Sequence, residues 1–331
     1  MVQFLIFNRY IFTFHCATIS TLSFCKGLSV INYRFKEIGA DFLLLLVAVA
    51  WGSTFVVVQT AVDETPVYTF LFWRFFFAGI LMALISFKQF KNFNKEVLKA
   101  GILLGLFMFL GYAFQTFALT YTYSSTVGFI TGLSVIIVPF GSYLIFKHKA
   151  SFFSVAGALT AAIGLYFLTL NSEIGFSWGE LYAFICAIMF ALHIVCTGHL
   201  SRKHNIYLLV TLQFLTVSFC SFLGGMISEG SIVPPVLDGV FVNAIAITVI
   251  FATIFAFWVQ TAMQRFTTAA KTAIIFTMEP VSAGIFGYLF ANEMLSFSQL
   301  CGAGLILGGM LIAEVGSYAY VWYKQRVSLS S

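Results

Sequence analysis

Ten apolar runs follow one another along the chain, at residues 42–61, 67–87, 98–119, 124–146, 152–170, 178–198, 207–227, 239–263, 268–290 and 297–318, with charge concentrated in the short gaps between them. Each run is close to the ~20 residues that a helix rising 1.5 Å per residue needs to cross ~30 Å of hydrocarbon. Apolar residues are continuous within the runs, where the strands of a membrane barrel would alternate, so every run predicts a helix. The expected fold is an all-α integral membrane protein with ten transmembrane helices.

A repeat organises these helices. Shifting residues 115–164 by 145 positions lays them on 260–309 without a gap, and eleven of the fifty positions agree. Gln115 pairs with Gln260, Thr116 with Thr261, Thr122 with Thr267, Ile130 with Ile275, Tyr143 with Tyr288 and Leu144 with Leu289. Ser151 and Ser296, Phe152 and Phe297, Gly157 and Gly302, Ala158 and Ala303, and Gly164 and Gly309 complete the set. Chance would give about a third as many matches in a chain of this composition. The first two runs of each half align more loosely at an offset of 139, which sets Trp51 against Phe190, Thr54 against His193 and Arg74 against Gln213. Five runs separate equivalent positions, and five is odd, so the halves point in opposite directions: two inverted five-helix repeats, at 37–170 and 171–318, preceded by an extension at 1–36 and followed by a cytoplasmic tail at 319–331.

Charge gives the orientation. Gaps after even-numbered runs hold Lys88, Lys91, Lys95, Lys99, Lys147, Lys149, Arg202, Lys203 and Arg265, with Lys271 at the start of the next run; Arg34, Lys36, Lys324 and Arg326 flank the two ends. Gaps after odd-numbered runs contain no Lys or Arg; they hold Asp63, Glu64, Glu173, Glu229, Asp238 and Glu293. Basic loops stay on the cytoplasmic side, so both termini are expected inside, and the plasma (bacterial-type inner) membrane is the expected location. The net charge of +5 then reflects topology and gives no reason to expect a nucleic-acid partner. Composition agrees: 60% of residues are apolar and 9% charged, against about 25% charged in soluble domains. The extension carries a short, broken apolar stretch at 10–25, without a signal-peptidase motif after it, and reads as an interfacial or unstructured tail. No methionine falls between Met1 and Met82, so a shorter natural product would need a non-Met start, for instance near Val30.

Ala50-Trp51-Gly52-Ser53-Thr54-Phe55 in the first run resembles the opening motif of the EamA-type transporters of the drug/metabolite transporter superfamily. Arg74-Phe75 in the second run and Met278-Glu279-Pro280-Val281 in the ninth resemble its later motifs, and Asn292-Glu293 stands where that family often has Gly-Glu. The resemblance covers about 38–318. It implies a secondary carrier of small organic metabolites working by alternating access, with export of amino acids or related amphiphilic compounds as the leading expectation. Lys271, entering the ninth run, departs from the pattern and bears on substrate charge preference.

Candidate site residues follow from chemistry at mid-span. Glu279 sits where an ionised carboxylate costs at least ~2.5–3.5 kcal/mol, and Pro280 beside it frees a backbone carbonyl in the preceding turn. It either takes up and releases protons or locks the interface between repeats; its repeat partner, Ser134, cannot titrate. Arg74 either anchors structure, as favoured here, or holds a substrate carboxylate. Trp51, away from the interfacial belt, is expected to line a cavity. Thr54, Tyr112 and Trp258 are further cavity candidates. Gln115 and Gln260 stand at matching places as interhelical bonds or substrate contacts, and His193 as a helix–helix bond or proton relay. Glu180 and Glu314 lie near span ends and read as solvated or anchoring. Gly101 and Gly105, Gly128 and Gly132, and Gly304 and Gly308 have helix-packing spacing. The partners expected are a small-molecule substrate, protons and the lipid bilayer, with no cofactor and no metal; oligomeric state is not legible. No G-x-x-x-x-G-K-[ST], H-E-x-x-H or G-x-S-x-G occurs, the aspartates lie at or beyond span ends, and the six cysteines form no C-x-x-C, which speaks against an ATPase or intramembrane hydrolase. The rival from another class is a non-transporting receptor or structural membrane protein.

Overall fold

The computed structural model describes the backbone of residues 19–121, 124–168, 178–291 and 296–330, and these are helical in every predicted run. We number the helices by run: α1 (Ile19–Glu64), α2 (Val67–Ile85), α3 (Lys95–Tyr121), α4 (Ser124–Gly132 and Ser134–Phe146), α5 (Phe152–Leu168), α6 (Trp178–Leu200) and α7 (Ile206–Gly224, extended by a π-helical turn, Gly225–Glu229). Then come α8 (Gly239–Ile247, π-helical Thr248–Phe255 and Ala256–Met263), α9 (Ala269–Phe276 and Met278–Ala291) and α10 (Phe297–Ser330). Among the described residues five stretches, 67–85, 95–118, 178–200, 206–229 and 239–263, are long and apolar enough to cross a bilayer unaided. Shorter apolar helices occupy 130–146, 152–167 and 297–313. Thr122, Glu173, Asn292 and Glu293 lie outside the described residues, as do the side chains of Arg34, Phe55, Asp63, Glu314, Lys324 and Arg326.

Residues 19–36 differ from expectation. The interfacial or unstructured tail is, from Ile19 onward, the continuation of α1, one helix of 46 residues. No proline or glycine pair interrupts it, and the apolar stretch at 19–25 carries straight into the polar segment that leads to the first run.

Local chemistry starts several helices. Asn205 accepts from the backbone N–H groups of Tyr207 and Leu208, Asp238 from Phe241, and Thr268 through its hydroxyl from Lys271, each satisfying donors that a helix start leaves open. Two helices are broken mid-course. In α4 the turn falls at Leu133, in α9 at Thr277, and each takes a tight bond back three residues, Leu133 to Ile130 and Thr277 to Ile274, both at 3.1 Å. Pro280 explains the second break, because its ring cannot coexist with the carbonyl of Phe276 in a regular helix. Offset by 145, Leu133 corresponds to Met278, one residue from the break in α9.

The packing partners are exchanged by swapping the halves. α1 packs on α8 and α9, as α6 packs on α3 and α4; α2 lies on α7, and α5 on α10. The α5–α10 contact depends on glycine. A Cβ on Gly309 would stand 2.6 Å from the carbonyl oxygen of Gly157, and one on Gly164 would stand 2.7 Å from that of Gly302. These four glycines are repeat partners, Gly157 with Gly302 and Gly164 with Gly309. The expected packing positions fare unevenly: Gly101 and Gly105 do lie against Leu212 and Thr216, and Gly132 against Leu165, but a Cβ on Gly128, Gly304 or Gly308 would meet no atom of another helix within 4 Å among the described residues. Spacing alone gives the same reading to either stripe of α10; the stripe facing α5 is the one at 302 and 309.

The two largest apolar clusters among the described residues lie around Phe70, Phe75, Met108 and Phe214 and around Val138, Leu165, Ile194 and Ile274, with smaller ones beside them. Large apolar side chains such as Leu84, Phe140, Leu144, Phe219 and Leu311 cover the outside, the surface a bilayer solvates and water does not. Polar contacts between helix ends sort into two groups. One joins Asn205 to Gln89 (3.0 Å), Arg202 to the carbonyl of Thr267 (3.0 Å) and Lys271 to Glu37 (2.6 Å), with Asp41 3.9 Å from the same ammonium. The other joins Glu229 to the N–H groups of Tyr68 and Thr69 at the start of α2, and the indole N–H of Trp73 to the carbonyl of Ile232.

Candidate substrate site

The π-helical segment of α8 is the natural starting point, because a widened turn at mid-span commonly marks a functional site. The carbonyl of Ala252 there accepts two hydrogen bonds from the first half: one from the indole N–H of Trp51 on α1 (2.9 Å) and one from Nη2 of Arg74 on α2 (3.2 Å). Arg74 Nε donates to the hydroxyl of Thr253 next along (2.7 Å), and Nη2 also reaches the hydroxyl of Tyr112 on α3 (3.4 Å). The guanidinium lies over the Tyr112 and Phe75 rings, 5.0 and 5.3 Å from their centroids. Arg74 is 3% exposed, so it does not snorkel to the surface. Ring contacts and three hydrogen bonds to neutral groups hold its charge in the interior.

Phe257 is the hub of the site. Its ring lies 5.3 Å from Trp51, 6.2 Å from Tyr112, 5.9 Å from His193 and 6.1 Å from Phe214. Trp51 also packs edge-on to Phe276 at 5.0 Å, and Tyr112 edge-on to Phe190 at 5.4 Å. The repeat relates these contacts. Trp51 corresponds to Phe190 and Tyr112 to Phe257, so the Trp51–Phe257 pair and the Phe190–Tyr112 pair are the same contact made once by each half.

Glu279 enters from α9, in the first turn after the Thr277 break. Glu279 and Tyr112 are both half-buried, and Cys186 is buried. Gly52 sets how closely α9 approaches: a Cβ there would stand 2.5 Å from the carbonyl oxygen of Glu279 and 2.6 Å from Cβ of Ser282.

The remaining candidates divide. His193 is buried and bonded at 2.8 Å through Nε2 to Oε1 of Gln213, whose amide N–H is spent on the carbonyl of Leu209, so the imidazole donates and the pair is closed. Thr54 is buried and bonds back to the carbonyl of Trp51. Trp258 faces away from the cluster toward Tyr207, 6.0 Å distant, while its neighbour Phe257 faces in. Gln260 is buried with no partner for Oε1 among the described residues, and Gln115 is partly exposed. Lys271 is not in this cluster; Glu37 and Asp41 of α1 hold it, just ahead of the first apolar run. Phe257, Phe276, Ala252 and Thr253 went unread in the sequence. Phe257 was accessible through its repeat offset from Tyr112, whereas a backbone carbonyl and one threonine among many carry no signal of their own.

A model described as the EamA-like transporter family matches residues 38–170 and 177–314. The chain belongs to that family. Among relatives of this EamA-like transporter, an uncharacterized transporter of Archaeoglobus fulgidus is 34% identical over 280 residues, covering 85% of this chain and 87% of its own length. The uncharacterized transporter YoaV of Bacillus subtilis is 25% identical, with 81% and 94% covered. A crystal structure of a protein 18% identical superposes with a TM-score of 0.72 over 85% of this chain and 98% of that one, which shows a shared fold. The protein is a multi-pass membrane transporter. The motifs that carried the family resemblance, Trp51-Gly52 in α1 and Glu279-Pro280 in α9, meet in space where Gly52 lies against the Glu279 backbone.

Proposed function

We propose that this EamA-like transporter is a ten-helix secondary carrier of the plasma membrane, built as two inverted five-helix halves that rock about a shared site at mid-membrane. The observation that carries the reading is the enclosed cluster of Trp51, Arg74, Tyr112, Phe257 and Glu279. It is drawn from both halves, and its ring contacts are repeated by the twofold. A site on a pseudo-twofold axis faces either side in turn when one half tilts against the other. The grouping of helix-end contacts supports the topology: ends after even-numbered runs bond to one another and to Glu37, within α1 just ahead of the first apolar run, and ends after odd-numbered runs bond among themselves. With basic loops inside, both termini are cytoplasmic.

The substrate is a small organic metabolite, an amino acid or related amphiphile, and export is the direction the family resemblance suggests. Glu279 is the proton-coupling group, because it is a half-buried acid at mid-span of α9 whose backbone lies against Gly52 of α1. Trp51, Tyr112 and Phe257 form the walls. The test is a panel of amino acids and related metabolites in proteoliposomes, with and without a pH gradient. Saturable, gradient-dependent flux in the native protein and gradient-independent flux in Glu279→Gln are expected. Gradient dependence that survives this substitution removes Glu279 from coupling, and absence of any flux turns the reading toward a non-transporting membrane protein.

A further inference from the structure

We propose that Arg74 and Tyr112 together form the anchor for a carboxylate group on the substrate, so that the transported compounds are small amphiphiles bearing one carboxylate. The inference rests on the carrier reading and names the chemistry its site selects. Three of the five guanidinium N–H groups are committed: Nε to Thr253, and Nη2 to Ala252 and, at 3.4 Å, to Tyr112. Among the described residues Nη1 has no hydrogen-bond partner, and no carboxylate lies within ion-pair distance of the group. A cation taken out of water needs a counter-charge, and ring faces offset only part of that cost. The Tyr112 hydroxyl accepts from Arg74 and leaves its own proton unspent, so a second free donor stands beside the first.

The arrangement suits a planar monoanion. Releasing the 3.4 Å bond to Tyr112, the weakest of the three, pairs an Nη2 hydrogen with those of Nη1 in an end-on fork for two carboxylate oxygens, with the tyrosine O–H as a third donor. A phosphate dianion is a poorer match, because a single cation meets it here. The apolar part of the molecule then falls against Trp51 and Phe257. The second half offers no such anchor: Gln213, at the repeat position of Arg74, is neutral, and its amide is bonded to His193 and to the carbonyl of Leu209. The carboxylate therefore travels with the first half.

Leucine, leucinamide and 4-methylpentanoate present the same apolar group with both charges, the ammonium alone and the carboxylate alone. Calorimetric titration of the full-length protein in nanodiscs should show leucine and 4-methylpentanoate binding about tenfold or more tightly than leucinamide. Arg74→Gln should abolish that preference, Arg74→Lys should keep part of it, and Tyr112→Phe, which removes only a hydroxyl, should narrow it while leaving the thermal midpoint in place. If native protein binds leucinamide as well as leucine, or if Arg74→Gln weakens both equally, the anchor is wrong. Proteoliposome flux of the same three compounds separates the two levels: leucinamide moving as fast as leucine overturns the anchor while the carrier stands, and movement of none overturns both.

Discussion

Trp51 and Gly52 are neighbours with opposite duties. The indole reaches across to the α8 carbonyl of Ala252, and the missing side chain of Gly52 lets α9 come close enough to bring Glu279 to the same place. Trp51→Ala should weaken substrate affinity while insertion and expression stay normal; unaltered affinity in a transport competition assay would count against a role in the cavity wall. Gly52→Ala puts a methyl into the Glu279 backbone and should lower stability by about 1–3 kcal/mol, read as a fall in thermal midpoint, with transport lost disproportionately because the acid is displaced. Mid-span residues of unusual type were legible in the sequence at this scale because lipid tolerates so few of them. Their partners were not: Arg74 read as a structural side chain or as the holder of a substrate carboxylate, and only tertiary contact shows it interior, on Thr253 and Tyr112. Likewise nothing in the dipeptide Phe257-Trp258 says which ring turns inward.

At the scale of the element, the broken helices matter most. The breaks in α4 and α9 fall within one residue of equivalent places, and proline accounts for one of them. Pro280→Ala restores the donor and removes the clash with Phe276, so α9 should straighten; slower flux with unchanged or raised thermal stability is the expected outcome, measured on the same purified sample. Lys271 illustrates the other kind of element contact, tying the first piece of α9 to α1 through a largely buried pair with Glu37. Lys271→Ala should destabilise the protein by roughly 3–5 kcal/mol, because it leaves acids without their counter-charge, and adding Glu37→Gln should restore part of that loss. A double-mutant cycle that is simply additive would show the pair to be energetically silent. Helix existence was readable from hydropathy, since backbone groups in hydrocarbon must be satisfied within the segment, but length was not: the first run is part of a helix of 46 residues and the tenth of one of 34. The π-helical turns of α7 and α8 were not, because their residues are as apolar as those of any regular turn.

For the whole molecule, the glycine quartet in α5 and α10 and the duplicated ring contacts behave as one symmetric design. Replacing Gly157 and Gly302, a repeat pair, by leucine should separate α5 from α10, and the loss should be visible as a lowered thermal midpoint for either single variant. Sidedness is tested by cysteine labelling: Lys147→Cys and Lys203→Cys should react with an impermeant maleimide from one face, Asp238→Cys from the other. Labelling of all three from one side would remove the inverted topology and the alternating-access reading with it.

Hydropathy and charge placement were enough to read the chain as a helical membrane protein and to nominate Trp51, Arg74 and Glu279, since a lipid solvent penalises each wrong choice along the chain itself. Which faces those helices turn to one another was decided in three dimensions. Small-residue stripes at 302 and 309 and at 304 and 308 look equally suited to close packing when read linearly, and only the approach of α5 selects the former. The same holds for the gathering of Tyr112 and Ala252 around the Arg74 guanidinium, because it depends on backbone groups and neighbours that no single helix carries.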